Sequence, residues 1–395
     1  MLKTESSPAS NSLSPRRQGP SLGKWRHFDP ILALTALAIG AFGCLMVYTA
    51  TRDQLQASGL SGTYFLKKQA IFMVLGTGVM VAVAAIDYRK LRDWALLVYG
   101  FCIFMLLAVY VVGHKSKGAQ AWFQVGSYQM EPSEFAKIGL IIALAAYCAS
   151  SRGRLSAKAL VVVLVLAGIP FALIYKQPDL GSALVLAAVL IAVLLIGGAS
   201  GRHMALLGVL TVALAVAVVQ LGILKTYQKD RLTSFVNAPN QPNPALLQTV
   251  AGATMYNVAE SKIAVSNGGI TGQGLFKGTQ TNLSYVPEQR TDFIFTAVGE
   301  QLGLVGSGVL LLLFLIVIWR TWRAGALSRD SFGTLVCVGV LAMITFQVFE
   351  NVGMTLGIMP VAGIPLPLMS YGGSSVVATF AGFGLVQSVR MRRFS

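Results

Sequence analysis

The sequence predicts an all-α polytopic membrane protein of ten transmembrane helices, with a large extracytoplasmic loop between the seventh and the eighth. Three observations carry this. The 395-residue chain is 55% hydrophobic and only 12% charged, whereas soluble domains carry about 25% charged residues. Apolar runs of roughly 20 residues, enough to cross the hydrocarbon core, recur along nearly its whole length. The basic residues gather at alternate ends of these runs, the asymmetry that orients membrane helices.

In chain order, residues 1–27 form a Ser/Pro-rich tail, read as a disordered cytoplasmic segment. The apolar run that follows is too long for a cleavable signal peptide and lacks a small-residue cleavage site. The spans fall near 30–50, 69–86, 94–112, 135–149, 159–175, 180–199, 203–223, 293–319, 332–356 and 371–389. Residues 28–393 thus make one membrane domain, with no room for a separate soluble one. Glu131-Pro132-Ser133-Glu134 opens the fourth span, because Pro at the first helical position and an early carboxylate mark a helix start. Gln177-Pro178-Asp179-Leu180 opens the sixth.

Residues 224–292 form the large outer loop, far longer than ordinary connections. It is not low-complexity. Phe235, Leu246, Leu247, Val250, Tyr256, Ile263, Phe276 and Tyr285 point to packing on the membrane domain, and 244–265 has the spacing of a helix lying along the interface. Residues 359–375 hold Pro360, Pro365, Pro367, Gly363, Gly372 and Gly373 and no charge. Such apolar but non-helical backbone is tolerated at membrane depth where it is buried in protein or lines a cavity.

With the N-terminus in the cytoplasm, inside segments hold 18 of the 31 basic residues, and both termini come out cytoplasmic. The net charge of +16 is dispersed over span ends, so it forms no nucleic-acid-binding patch. Cys44, Cys102, Cys148 and Cys337 all fall within spans, which predicts no disulfide framework. His27, His114 and His203 are far apart, which argues against a zinc site.

Charged residues near the outer face are candidates for chemistry, since a charge at a helix centre costs about 2.5–3.5 kcal/mol. Asp292 stands where the polar loop enters the eighth span, and either Thr291 or Asp292 could cap that helix. A cap and a general base are both open to Asp292. Glu300, two turns on, reads as a buried polar bridge to another span. Glu134 can pair with Lys137 at i, i+3. Asp179 is either a carboxylate facing a helix dipole or a substrate contact. Lys117 and Trp122 share a face, Trp122 also suiting an interfacial aromatic belt. The glycine-rich run Gly272–Gly278 fits neither the P-loop nor the dinucleotide pattern.

In combination, KGAQAW at 117–122, PSEFAK at 132–137, QPDLGS at 177–182, YQKDR at 227–231, YVPEQRTDF at 285–293 and GIMPVAGIPLPLMSYGGSS at 357–375 resemble the SEDS family (shape, elongation, division and sporulation), the membrane-embedded peptidoglycan polymerases of bacteria. The likeness covers residues 28–393. YQKDR and GLFKGTQ at 274–280 look more like the elongation branch (RodA) than the division branch (FtsW). Arg290 stands where the family often has His, and Glu260 where it often has Gln.

The resemblance implies a glycosyltransferase of the bacterial inner membrane, active on its outer face, that polymerises lipid II and releases undecaprenyl pyrophosphate. It implies inversion by single displacement, with Asp292 as the base. Lys117, Trp122, Glu134, Asp179, Arg231, Lys262 and Glu288 would bind substrate, with Lys117, Arg231 and Lys262 facing the pyrophosphate. No cofactor is certain; a divalent cation (Mg or Mn) could be shared with Glu134 or Asp179. The implied partners are a class B penicillin-binding protein and other elongation-complex membrane proteins. A lipid II flippase, a non-catalytic scaffold and an ion-coupled transporter are the rival readings.

Overall fold

The computed structural model describes residues 27–116, 119–151, 155–220 and 250–394. The tail, Lys117, Arg231, Phe235, Leu246 and Leu247 lie outside the described residues. The fold is mostly helical. A helix stands at each of the ten expected segments: α1 Pro30–Ala57, α2 Tyr64–Ala85, α4 Ala95–Val112, α5 Pro132–Ser150, α6 Ala157–Lys176, α7 Leu180–Ile196, α8 Gly201–Gln220, α11 Ile294–Ala326, α12 Ser331–Thr355 and α13 Gly373–Met391. Seven of these, α1, α2, α4, α5, α6, α11 and α12, are long and apolar enough to cross a membrane among the described residues. Three helices connect the others: α3 Tyr88–Asp93, α9 Val250–Gly268 and α10 Thr279–Asn282.

Local chemistry sets the helix starts. Pro30 and Pro132 occupy the first turns of α1 and α5, where the missing N–H costs nothing. Asp29, Ser156 and Asp330 cap α1, α6 and α12 through their side chains. The core forms where inward faces meet, with Leu32, Ile39, Met46, Leu140, Val340 and Phe380 among the fully buried residues. Leu96, Val111, Phe104 and Leu304 are more than 60% exposed, which suits helices solvated by lipid rather than water. Gly43 lets α1 meet the 357–372 segment closely: a Cβ there would stand 2.6 Å from the Leu368 carbonyl.

One departure from the all-α expectation lies before α5. Residues 114–130 fold into a three-stranded antiparallel sheet, β1 His114–Ser116, β2 Ala119–Val125 and β3 Tyr128–Met130. Trp122 pairs with His114, and Phe123 with Met130. Gly126, at φ +61°, makes the turn. The run Ala121-Trp122-Phe123-Gln124-Val125 is rich in aromatic and β-branched residues, and Gly126 follows it. That is a hairpin signal in a stretch the hydropathy pattern treats only as a loop.

A second departure concerns α11, which is two helices. Gly303 has φ 63° and ψ −159°, a conformation essentially confined to glycine. The backbone groups freed by the break are taken up by residues 269–274. Gln273 and Gly274 N–H donate to the carbonyls of Glu300 and Gln301, at 3.0 Å each, while Leu304 and Val305 N–H donate to Gly269 and Ile270 at 2.9 and 3.1 Å. The Glu300 carboxylate accepts from Gln280 N–H at 2.6 Å and from Thr281 N–H and hydroxyl at 3.0 and 2.6 Å. Glu300 is therefore a bridge to the loop helix α10, not to another span. Buried Tyr256, Val258 and Ala264 seat α9 on the domain; of the loop residues named in the sequence Tyr256 is buried, while Tyr285 is exposed.

Candidate active site

Four helices begin around one cavity of about 1050 Å³. Glu131 and Glu134 come from the start of α5, Asp179 from α7, Thr291 and Asp292 from α11, and Gly372 to Ser375 from α13. Helix N-termini carry partial positive charge, so this convergence offsets the carboxylates gathered there. The β2–β3 hairpin closes one side with Trp122, Ser127 and Tyr128, and α2 supplies Tyr64, Phe65, Lys68 and Phe72.

Asp292 leads into α11 one residue before its cap. The N-cap position is Phe293, with no side-chain cap bond. The Thr291 hydroxyl instead turns back to the Glu288 carbonyl at 3.1 Å. The Asp292 carboxylate lies beside Gly363, where a Cβ would stand 3.5 Å from Oδ2. Its backbone is held from below. Asn351, fully buried, donates to the carbonyls of Asp292 at 2.8 Å and Ile364 at 2.7 Å. Ser370 hydroxyl donates to Thr291 O, and Tyr371 N–H to Arg290 O at 2.8 Å. The 359–371 segment is thus the wall against which residues 290–292 are fixed. Glu288, at φ 55°, turns the chain into this strap.

The α5 and α7 side of the cavity is acidic. Buried Glu134 pairs with buried Lys137 at 2.7 Å, the ion pair expected from their spacing. Ser133 hydroxyl donates to Glu131 Oε1 at 2.7 Å, and Glu131 N–H to Ser374 Oγ at 2.8 Å, tying the start of α5 to that of α13. Burial, then the nearby Asp179 and Glu134 carboxylates, raise the Glu131 pKa above the ordinary carboxylate range. Asp179 caps α7 through Oδ1, which accepts from Ser182 N–H at 2.9 Å, while its buried Oδ2 has no hydrogen-bond partner. Among the described residues no group of three or more His, Cys, Asp or Glu side chains is arranged to hold a metal ion.

The cationic side is aromatic. Lys68 is 9% exposed, donates to Ser127 O at 2.7 Å, and lies 4.4 Å from the Tyr64 ring and 5.2 Å from that of Tyr128. Arg290 stacks over Phe65 at 4.4 Å, and Phe65 meets Tyr371 edge-on at 4.9 Å. Such placements hold a cation without a carboxylate partner.

Of the residues singled out in the sequence, Trp122, Glu134, Asp179, Glu288 and Asp292 line this cavity together. Lys262 does not. Its side chain packs against Gly357, near the C-terminal end of α12. Lys68, Tyr64, Phe65 and Tyr371 went unnoticed in the sequence. The site meaning of Lys68 rests on aromatic neighbours from its own helix and from the hairpin, Tyr64 and Tyr128.

The comparisons with known proteins bear on the family and the fold. The chain is 34% identical over 369 residues to the peptidoglycan glycosyltransferase MrdB of Escherichia coli (strain K12), covering 93% of this chain and 94% of the relative. A solved structure described as a peptidoglycan synthase complex coordinating polymerization and crosslinking superposes with a TM-score of 0.76 at 30% identity, over 93% of this chain and 99% of that one. The rod shape determining protein RodA of Thermus thermophilus gives 0.68 at 28% identity, over 94% and 99%. The FtsW/RodA/SpoVE model, described as cell cycle protein, matches residues 30–394, and on that span the chain belongs to the FtsW/RodA/SpoVE family, as an integral membrane protein with a RodA-like fold.

Proposed function

We propose that this chain is a peptidoglycan glycosyltransferase that polymerises lipid II into glycan strands during cell elongation. The observation that carries the reading is the setting of Asp292. Its carboxylate lines a cavity of about 1050 Å³ together with Glu134, Asp179 and Trp122, and Phe293 rather than Asp292 holds the N-cap position of the helix behind it. Family membership and the 34% identity to a named peptidoglycan glycosyltransferase support it.

In this reading the acceptor sugar's 4-hydroxyl attacks the anomeric carbon of the lipid-linked donor. Asp292 takes the hydroxyl proton, the new β-1,4 bond forms with inversion, and undecaprenyl pyrophosphate leaves. Glu134, Asp179, Glu288 and Trp122 bind the sugars. Lys68 and Arg290, the cations that line the described cavity, face the departing pyrophosphate and stabilise its charge. Lys117 and Arg231 are further cations of the outer side, and Lys262 supports the wall from behind. The protein spans the bacterial inner membrane ten times, with both termini cytoplasmic, a tail at 1–27, one domain at 28–393, and the 224–292 loop and cavity outside. A class B penicillin-binding protein and other elongation-complex proteins are its partners, the first of these supported by the fit to a synthase complex.

The test is purified protein with lipid II and a gel for glycan strands, run beside the Asp292→Asn variant. Polymer from the parent chain and none from the variant is the expected result. Absence of polymer from a monodisperse parent chain with its partner present would favour a flippase or scaffold.

A further inference from the structure

Among the described residues, the end of the bundle away from the cavity carries more arginines than carboxylates. Helix α1 is about 40 Å long at 1.5 Å per residue. Its C-terminal residues Ala50, Thr51 and Gln54 lie near Ser284 to Arg290, so Asp29 at its start marks the opposite end. There the last turns of α11 and α13 meet it. Asp29 is fully buried. Arg320 grips it with two nitrogens, Nε at 2.7 Å and Nη2 at 2.5 Å, and Arg390 lies 2.7 Å from Oδ2. Gln387 fixes the Asp29 backbone from both sides.

Two further guanidinium groups stand one turn on: Arg323 lies three residues after Arg320 on α11, and Arg393 three residues after Arg390 at the end of α13. Two arginines therefore hold the one carboxylate, and two more stand a turn away. The neighbouring cluster is balanced by contrast: Arg392 faces Asp87 and Arg89 faces Asp330, at 3.6 Å each. Nε of Arg390 and Nε of Arg393 are buried and donate no hydrogen bond among the described residues.

The rim of the cluster is aromatic and exposed: Trp319 at 48%, Trp322 at 57% and Phe394 at 72%. Arg323 lies 5.7 Å from the Trp319 ring, and Arg393 4.5 Å from the Phe394 ring. Tryptophan beside arginine at a helix end is the signature of the headgroup level of a bilayer. A phosphodiester there accepts several guanidinium hydrogen bonds in charge-assisted geometry, while its acyl chains lie along the exposed apolar faces of α11.

We propose that the cluster of Arg323, Arg390 and Arg393 is a binding site for the phosphate headgroup of an anionic phospholipid in the leaflet at that end. The site is separate from the cavity and stands whether or not the catalytic reading does. The experiment is native mass spectrometry of the purified full chain with phosphatidylglycerol, and with phosphatidylcholine as the neutral control. Preferential retention of phosphatidylglycerol is expected. The double change Arg323→Gln and Arg393→Gln should weaken it by at least about 5-fold, since one basic residue near an anionic surface is worth roughly that factor. Arg320 and Arg390 stay in place because they neutralise Asp29. If the double variant aggregates, Arg323→Gln alone is read, with a loss of about 5-fold. Equal retention of the two lipids, or unchanged retention in the variant, overturns the proposal. So does displacement of the lipid by inorganic phosphate, which would mark a site for free anions.

Discussion

At the scale of the residue, the outcome turns on what each carboxylate touches. Asp292 and Asp179 looked alike in the sequence, each a loop-to-helix carboxylate open to capping. The structure separates them: Asp179 caps α7 with one oxygen, whereas the cap position of α11 passes to Phe293. That difference depends on where the strap 288–292 is pinned, which no local pattern encodes. Asp292→Asn, nearly isosteric, is expected to lower glycan synthesis by roughly 10²–10⁴-fold with an unchanged melting temperature. Near-normal synthesis on the gel would remove the base assignment. Asn351 has a different signature. Asn351→Ala leaves the Asp292 and Ile364 carbonyls buried without their donor, at about 1–3 kcal/mol each. A lower melting temperature together with a lower kcat is expected, and a change in kcat alone would contradict its role as a clamp. Glu131, raised mainly by burial, favours the folded state in its protonated form. Its contribution is full below the ordinary carboxylate pKa and is lost as pH rises through the raised value. Thermal melts from mildly acid to mildly alkaline pH should show this decline, and Glu131→Gln should flatten it.

At the scale of the element, long apolar helices were legible because lipid-facing and core-facing residues are both hydrophobic, and hydropathy alone marks them. The sheet at 114–130 and the break in α11 were not. The hairpin is short and flanked by membrane helices, so its alternation is diluted. The break leaves the apolar run from Leu302 to Trp319 uninterrupted, since glycine does not lower hydropathy much. Gly303 nonetheless carries the conformation. Gly303→Ala places a Cβ 2.4 Å from Gly272 N in a backbone region costing of order 1–3 kcal/mol for other residues. Loss of thermal stability is expected, read by melting of the purified protein. Gly308→Ala, in open surroundings on the same helix, should be neutral or mildly stabilising and serves as the control.

At the scale of the molecule, the helices carry polar ends of different character. One end gathers helix N-termini, carboxylates and a cavity; the other gathers arginines and tryptophans. The cavity end was legible in outline, because five of the residues picked out in the sequence meet there. The pairing of Lys68 and Arg290 with aromatics was not, as it joins α2, the hairpin and the strap through space. The orientation proposed above is checked by Gln280→Cys in intact cells: labelling by an impermeant maleimide is expected, and labelling only after lysis would reverse the topology. The clasp at Gly303 bears on how the chain is built. The outer piece of α11, Ile294 to Leu302, hangs its terminal carbonyls on Gln273 and Gly274, residues made earlier in synthesis. In the orientation proposed above, its complement would already stand across the bilayer by the time α11 leaves the ribosome. Neither piece is satisfied until α11 has crossed to meet it. Insertion of α11 and docking of residues 269–274 are then one event, so a protein whose loop is misplaced would be held back at the stage of biogenesis rather than released as a folded, idle enzyme.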